Sequence, residues 1–258
     1  QRLAEGLSSR FVVVGREVLW RSPILLTPYR RDNTIDAETL KEFFDIAYAD
    51  AKLTPDDIDS GAVILTGEAL KKVNASAIAH LFAMETGKFV CASAGHNMEA
   101  LMAAHGSGAV ALSRKEHKTL LNIDIGGGTV KLATVHGGRL LNAAAFAVGG
   151  RLIAFDDDGK INRIEGPAEQ IAADVAVKLE PGGTLSDSDR DKIVARMVDV
   201  IVANVAGKAD DELCRALSVT DPLPATPRPD AVTFSGGVSE FVYGREKENY
   251  NDLGRELA

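Results

Sequence analysis

The stretch LLNIDIGGGTVKLATV, Leu120–Val135, places three consecutive glycines, Gly126–Gly128, between two apolar runs. Glycine costs backbone entropy and packs nothing, so three in a row need a reason. Either the chain makes a tight hairpin here, or its backbone comes very close to something. TLLNIDI before the glycines reads as a strand, and TVKLATV after them reads as a second. No Gly-Lys-Ser/Thr follows, so this is not a Walker loop. A strand-like run follows where a dinucleotide fingerprint would start a helix, so it is not that motif either. Consecutive glycine N–H groups can point into one concavity that suits a phosphate. Asp124, at the strand end, can hold a hydrated Mg²⁺, which prefers oxygen ligands and keeps several waters. The Thr129 hydroxyl adds a donor. A plain hairpin with a glycine turn remains the alternative on this motif alone.

Downstream, His136-Gly137-Gly138 turns the chain into RLLNAAAFAV, a hairpin. RLIAF-DDDG-KINRI repeats strand, turn, strand. The chain turns helical from Pro167, and Ser186 with Asp189 forms a capping-box variant ahead of Val194, Met197, Val198, Ile201 and Val202. The proline-rich DPLPATPRPD is a loop, and AVTF is a last strand. Upstream, Phe11–Val14 and Val18–Leu26 read as strands. Leu40, Phe43, Phe44 and Ala47 make an amphipathic helix capped by Asp36. GAVILTG and KFVCASAG are strands that bracket a helix, EALKKVNASAIAHLFAMETG, with a break near Asn74. HNMEALMAAHGSG is a helix closed by Gly106 and Gly108. Strand clusters alternating with helices indicate an α/β fold.

Two further segments carry chemistry. In AVTFSGGVSE the last strand ends at Ser235-Gly236-Gly237, and VSEFVYG then starts a helix. Two glycines let a flat group such as adenine or ribose approach the backbone, and a helix N-terminus attracts an anion. A structural β–α turn is the alternative. Glu99 lies near the start of the HNMEALMAAHGSG helix, where a carboxylate facing a cleft could bind a metal-held water or act as a base. An exposed helix glutamate is the alternative.

The formal net charge of −8 argues against general affinity for nucleic acid or anionic membranes. No apolar run is long enough for a membrane-spanning helix. Cys91 and Cys214 lie far apart, which reads most simply as a reduced cytosolic protein. The histidines His80, His96, His105, His117 and His136 have no zinc spacing. Asp156–Asp158 lacks the spaced ligands of a calcium loop and reads as an acidic hairpin tip. Ser107 and Ser235 have no triad context, and Trp20 reads as core or as a partner contact.

DIGGGT, SGGV and EALMAAHGSGA together resemble the second phosphate loop, the adenosine motif and the first connecting helix of the sugar kinase, heat-shock chaperone and actin ATPase superfamily. Within it, SPILLTP, GAVILTGEALKKVNA, CASAGHNMEALMAAHGSGAVALS, NIDIGGGTVKLATV, VGGRLI and FSGGVSEFVYG resemble the ethanolamine ammonia-lyase reactivating factors of the EutA type. The resemblance covers most of the chain. It implies a two-lobed, actin-like (ribonuclease H-like) ATPase fold that binds ATP or ADP with Mg²⁺. It implies a chaperone-like role: releasing damaged cobalamin from ethanolamine ammonia-lyase so that intact adenosylcobalamin can bind. It also implies a cytoplasmic location associated with a bacterial microcompartment. The catalytic residues it implies are Glu99 and Asp124, with Asp124 on the Mg²⁺ side. The nucleotide-binding residues it implies are Gly126, Gly127, Gly128, Thr129, Ser235, Gly236 and Gly237. A side chain at Gly127 is expected to fill the space of the phosphate.

The polar SRKEHK segment sets the expected boundary between a first lobe, residues 1–115, and a second, 116–258, with an accessory subdomain over about 150–230. The nucleotide is expected between the lobes. The superfamily opens with an Asp-Ile-Gly-Thr-Thr-like first phosphate loop, whereas this sequence begins QRLAEGLSSRF and stops soon after Gly237. It is therefore expected to be truncated at both ends. Two rival readings stand: a small-molecule kinase of the same superfamily, and a scaffold that keeps the fold without hydrolysing nucleotide.

Overall fold

A computed structural model describes residues 2–3, 11–12, 15, 17–25, 27–28, 30, 34–65, 89–93, 95–224 and 228–258. The chain divides into two compact units, the second beginning at Ser93.

In the first unit, β1 (Arg2–Leu3) pairs antiparallel with β2 (Phe11–Val12). Helix α1 (Ala37–Ala51) starts where expected: the Asp36 carboxylate accepts from the Glu38 and Thr39 N–H groups. It stops at Lys52, which is left-handed at φ 56°. β3 (Gly61–Leu65) pairs with β4 (Phe89–Ser93). The helix expected over 68–87 lies outside the described residues. The strand expected over Val18–Leu26 is absent from its described part, 18–25. Leu19 is 80% exposed and Ile24 66%. Pro23 lacks a backbone donor, and an apolar run becomes a strand only with a neighbour to pair with. Trp20 is exposed and lines an open pocket of about 340 Å³ with Phe43, Phe44 and Tyr48.

In the second unit, α2 (His96–Gly106) and α3 (Ala109–Glu116) are joined at Gly108, whose φ of 84° breaks the helical run. Ser113–Glu116, part of the segment expected to separate two lobes, continues α3. Then follow β5 (Thr119–Ile125), β6 (Val130–His136) and β7 (Arg139–Phe146) as an antiparallel meander. The β6–β7 turn uses Gly137 and Gly138 at positive φ, as a two-residue hairpin requires. β8 (Ile153–Phe155) and β9 (Ile161–Ile164) form the second hairpin, closed by the acidic tip: the Asp156 carboxylate accepts from the Asp158 and Lys160 N–H groups. Helices α4 (Gly166–Asp174), α5 (Asp187–Val205) and α6 (Glu212–Leu217) come next. Ser186 caps α5 through the Asp189 N–H, as expected. Its buried stripe is Ile193, Val194, Met197, Val200 and Ile201, while Val198 and Val202 face solvent. β10 (Ala231–Ser235) pairs parallel with β5 and leads into α7 (Gly237–Val242), and α8 (Gly254–Leu257) closes the unit.

The sheet order is β10-β5-β6-β7, with the last strand parallel to the first of the meander. This is the α/β arrangement that strand clusters alternating with helices indicate. Alternation along the strands sorts the side chains onto two faces. Leu121, Ile123, Ile125, Val130 and Leu132 enter a large core with α4, α5 and α6. On the other face Leu120, Ala133 and Val135 pack on Ala100, Ala104, Ala109 and Val110 of α2 and α3. The small residues of α2 let it lie close to the sheet.

Candidate functional site

The same alternation that buries Leu121, Ile123 and Ile125 on one face turns Asn122 and Asp124 to the α2 face. Parallel pairing sets Ser235 beside Asp124 and Thr233 beside Asn122. A chain of hydrogen bonds results. Thr233 Oγ1 donates to Asn122 Oδ1 (2.9 Å), Asn122 Nδ2 donates to Ser235 Oγ (3.0 Å), and Ser235 Oγ donates to Asp124 Oδ1 (2.9 Å). Asn122 is fully buried. Ser235, expected among the nucleotide contacts, therefore has its hydroxyl proton on Asp124 and orients that carboxylate.

Lys131 completes the cluster. In the β5–β6 hairpin it lies directly across from Asp124. Its Nζ is 2.9 Å from Glu99 Oε2 and 3.8 Å from Asp124 Oδ2. Glu99 is 6% exposed and Lys131 7%. Neither Glu99 oxygen accepts an aligned hydrogen bond, so the ammonium is its electrostatic partner. Deleting one member of such a buried pair costs about 3–5 kcal/mol, because the other charge is left uncompensated. Glu99 and Asp124, distant in sequence, are thus brought to one ammonium. Sequence reading missed Lys131, although a hairpin centred on Gly127–Gly128 places residue 131 opposite 124 by register alone.

The glycine loop answers the question it raised. It is a hairpin, closed by Gly126 N–H donating to Thr129 O (3.0 Å), and it is also a site of close approach. None of its glycines is left-handed. The pressure comes from the segment Gly149-Gly150-Arg151. Gly150 N–H donates to Gly126 O (3.0 Å) and Arg151 N–H to Gly127 O (2.6 Å). A Cβ on Gly149 would land on the Gly127–Gly128 peptide. A Cβ on Gly127 would lie 3.3 Å from Arg151 Cβ, whereas one on Gly128 would meet nothing within 4 Å. A side chain at Gly127 would therefore press on Arg151, and Gly128 is the loop glycine with open space at its Cβ position. These peptides are trans. A trans peptide holds N–H opposite C=O, so the Gly127 and Gly128 N–H groups turn away from the 149–151 segment. That segment is braced in turn: Leu253 N–H donates to Gly150 O (2.7 Å), and Arg151 Nη1 lies 3.4 Å from Asp252 Oδ2. Burial pushes the Asp252 carboxyl above its usual range, opposed by the Gly254 N–H and Arg151.

The second glycine motif repeats the division. Gly236 is at φ 84°, and a Cβ there would land on the Ile125 carbonyl. A Cβ on Gly237 would meet nothing within 4 Å. The two motifs meet at the carboxyl ends of β5 and β10, where open α/β sheets bind ligands.

Among the described residues there is no group of three His, Cys, Asp or Glu side chains that could hold a metal. A hard cation here would rest on Asp124 with water and ligand oxygens, a set that fits Mg²⁺. No helix among the described residues is long and apolar enough to cross a membrane. Cys214 is free and buried, and burial with the Asp211 carboxylate pushes its thiol up to about 11.

A family model described as ethanolamine utilisation protein EutA matches residues 4–258. The ethanolamine ammonia-lyase reactivase EutA of Salmonella typhimurium is 34% identical over 259 residues, covering 100% of this chain and 55% of the relative. Its namesake from Escherichia coli K12 is 34% identical over 239 residues, covering 93% and 51%. The chain spans about half the length of the curated relatives it matches. Among solved structures, a Ppx/GppA phosphatase from Aquifex aeolicus aligns with a TM-score of 0.39 at 12% identity, covering 83% of this chain and 55% of that one. MreB5 of Spiroplasma citri bound to AMPPNP aligns with a TM-score of 0.32 at 19% identity, covering 54% and 36%.

Proposed function

The chain belongs to the ethanolamine utilisation protein EutA family, and on that premise we propose that it serves an ATP-dependent reactivating factor for ethanolamine ammonia-lyase. In this reading the phosphates of ATP or ADP lie over Gly126–Thr129 and the adenosine lies beside Gly236–Gly237. The observation that carries it is the loop's orientation. The Gly126 and Gly127 carbonyls accept from the 149–151 segment, and the N–H groups of Gly127 and Gly128 turn away from it. Such an array of amides next to an open glycine position suits a phosphate oxygen.

Asp124 would hold Mg²⁺ through water, with Ser235 fixing its orientation. Mg²⁺ would supply positive charge to the phosphate oxygens. Thr129 would add a hydroxyl donor. Glu99 would orient a water or accept its proton once Lys131 is drawn aside. A nucleotide that binds one conformation better shifts the population towards it. ATP and ADP forms would then differ in affinity for the partner enzyme, and that difference would drive release of damaged cobalamin. Action in the cytoplasm beside a microcompartment belongs to the same reading.

One observation favours a second reading, a nucleotide-binding scaffold that does not hydrolyse: Glu99, the candidate base, is held in an ion pair. The test inactivates ethanolamine ammonia-lyase with a cobalamin lacking its adenosyl group. The protein in its native full-length form, Mg²⁺, fresh adenosylcobalamin and ATP or a non-hydrolysable analogue are then added. Activity returning only with ATP supports the reactivase. Recovery without nucleotide overturns it, and recovery with the analogue moves the assignment to the scaffold.

A further inference from the structure

Two buried or half-buried carboxylates converge at the end of β5 and α2, and the cation between them belongs to the protein. Lys131 Nζ stands 2.9 Å from Glu99 and 3.8 Å from Asp124. Glu99 is 94% withdrawn from solvent by its 6% exposure, and neither of its oxygens has an aligned hydrogen-bond donor. An ionised carboxylate in that setting needs a positive charge close by. Asp124 differs: its Oδ1 already accepts from Ser235, and its side chain is 16% exposed against 5% for Glu99. Glu99 therefore depends on the ammonium more than Asp124 does, and the two distances follow that order.

We infer that Lys131 is the built-in cation of this site, pairing with Glu99 and Asp124 in a way that excludes a divalent cation from the space between them. A free divalent cation and the ammonium compete for the same oxygens and repel each other at such range. The carboxylates are then compensated without metal, and a divalent cation gains the site only when further anionic oxygens, such as those of a phosphate ligand, arrive with it. Lys131 is thus a specificity-determining residue: it makes metal occupancy conditional on ligand. This rests on the nucleotide reading only for the identity of that ligand. The exclusion of free metal stands on the three side chains alone.

The experiment uses Mn²⁺ alone as the probe. Free Mn²⁺ is counted by its electron paramagnetic resonance signal, with no nucleotide and no activity readout. The wild-type chain is compared with Lys131→Met, Lys131→Arg and the double variant Lys131→Met with Glu99→Gln. Lys131→Met should bind Mn²⁺ at least about tenfold more tightly than wild type, since about 1.4 kcal/mol of relieved repulsion is tenfold. Lys131→Arg, which keeps the charge, should match wild type. The double variant should lose the gain, because the second carboxylate is gone. Circular dichroism checks that each variant is folded. If Lys131→Met does not fold, Lys131→Gln replaces it, and the same tenfold gain is required. Equal Mn²⁺ affinity in the wild type and the charge-removing variant overturns the inference, as does a gain that survives removal of Glu99. A gain in Mn²⁺ affinity in a protein that fails to bind ATP would leave the inference standing and remove the nucleotide reading.

Discussion

The two glycine motifs, Gly126–Gly128 and Gly236–Gly237, look alike in sequence and divide their labour alike in space. Each has one glycine closed in by the rest of the chain and one that faces open space. Gly127 is backed by Arg151, and Gly236 lies against the Ile125 carbonyl. Gly128 and Gly237 have nothing within 4 Å of the position a Cβ would take. The reasons differ, however. Gly236 needs glycine twice, for its φ of 84° and for the close approach. The first loop needs no left-handed residue and is shaped from outside by Gly149-Gly150-Arg151. A glycine run therefore contains packing glycines and candidate ligand glycines, and only the surroundings say which is which.

The largest effect should come from Gly236→Ala. A left-handed alanine with its Cβ on a central-strand carbonyl should cost about 3–4 kcal/mol, combining backbone strain with overpacking. Urea unfolding measures it, and a loss below about 1 kcal/mol would mean that β5 yields easily and the comparison is wrong. Next is Asp124→Ala. Losing one charge-assisted contact should weaken Mg-ATP binding by about 1.5–3 kcal/mol. Calorimetric titration with and without Mg²⁺ checks it, and unchanged affinity would remove Asp124 from the site.

Gly128→Ala should be smaller and of a different kind. Stability should stay within about 0.5 kcal/mol of wild type, as for changes that meet no neighbour. Nucleotide affinity should fall by about 1 kcal/mol, the worth of one disturbed amide contact. A large stability loss with intact binding would reverse the roles assigned to the open and closed glycines.

The smallest effect lies far from the glycines, at the N-cap of α6. The Cys214 N–H donates to Asp211 Oδ1, and with help from Arg196 this holds the carboxyl at about 2, below its usual 3.8. A depressed folded value means stability fully present above 3.8 and lost as pH falls through about 2. Solvent screening at this exposed pair keeps the loss small. Thermal melts between pH 5 and 2 should show a slightly shallower acid decline for Asp211→Asn than for wild type, and identical declines would assign the acid sensitivity elsewhere.

Much of this was legible beforehand. Asp36 and Ser186 announced their helices because capping is a local bond between a side chain and an N–H two or three residues on. TLLNIDI and TVKLATV announced a hairpin because alternation and a glycine turn are local too. Val18–Leu26 misled, because β-branched and apolar residues say only that a strand could form, and 18–25 has no regular structure. Val198 and Val202 belong to the same apolar run as the buried residues of α5 yet face solvent, because an apolar stripe on a helix can be wider than the surface it packs on.

By itself the sequence determined the meander, the last strand, the glycine motifs and the residues Asp124 and Glu99 as candidates, since each depends on neighbours within a few positions. Tertiary structure alone decided that Ser235 orients Asp124, that Gly149–Arg151 braces the loop, and that Lys131 stands between Glu99 and Asp124. Apart from Lys131 and Asp124, which the hairpin register sets opposite each other, those contacts join residues more than 20 positions apart, and their strength comes from burial and distance, which no local pattern carries.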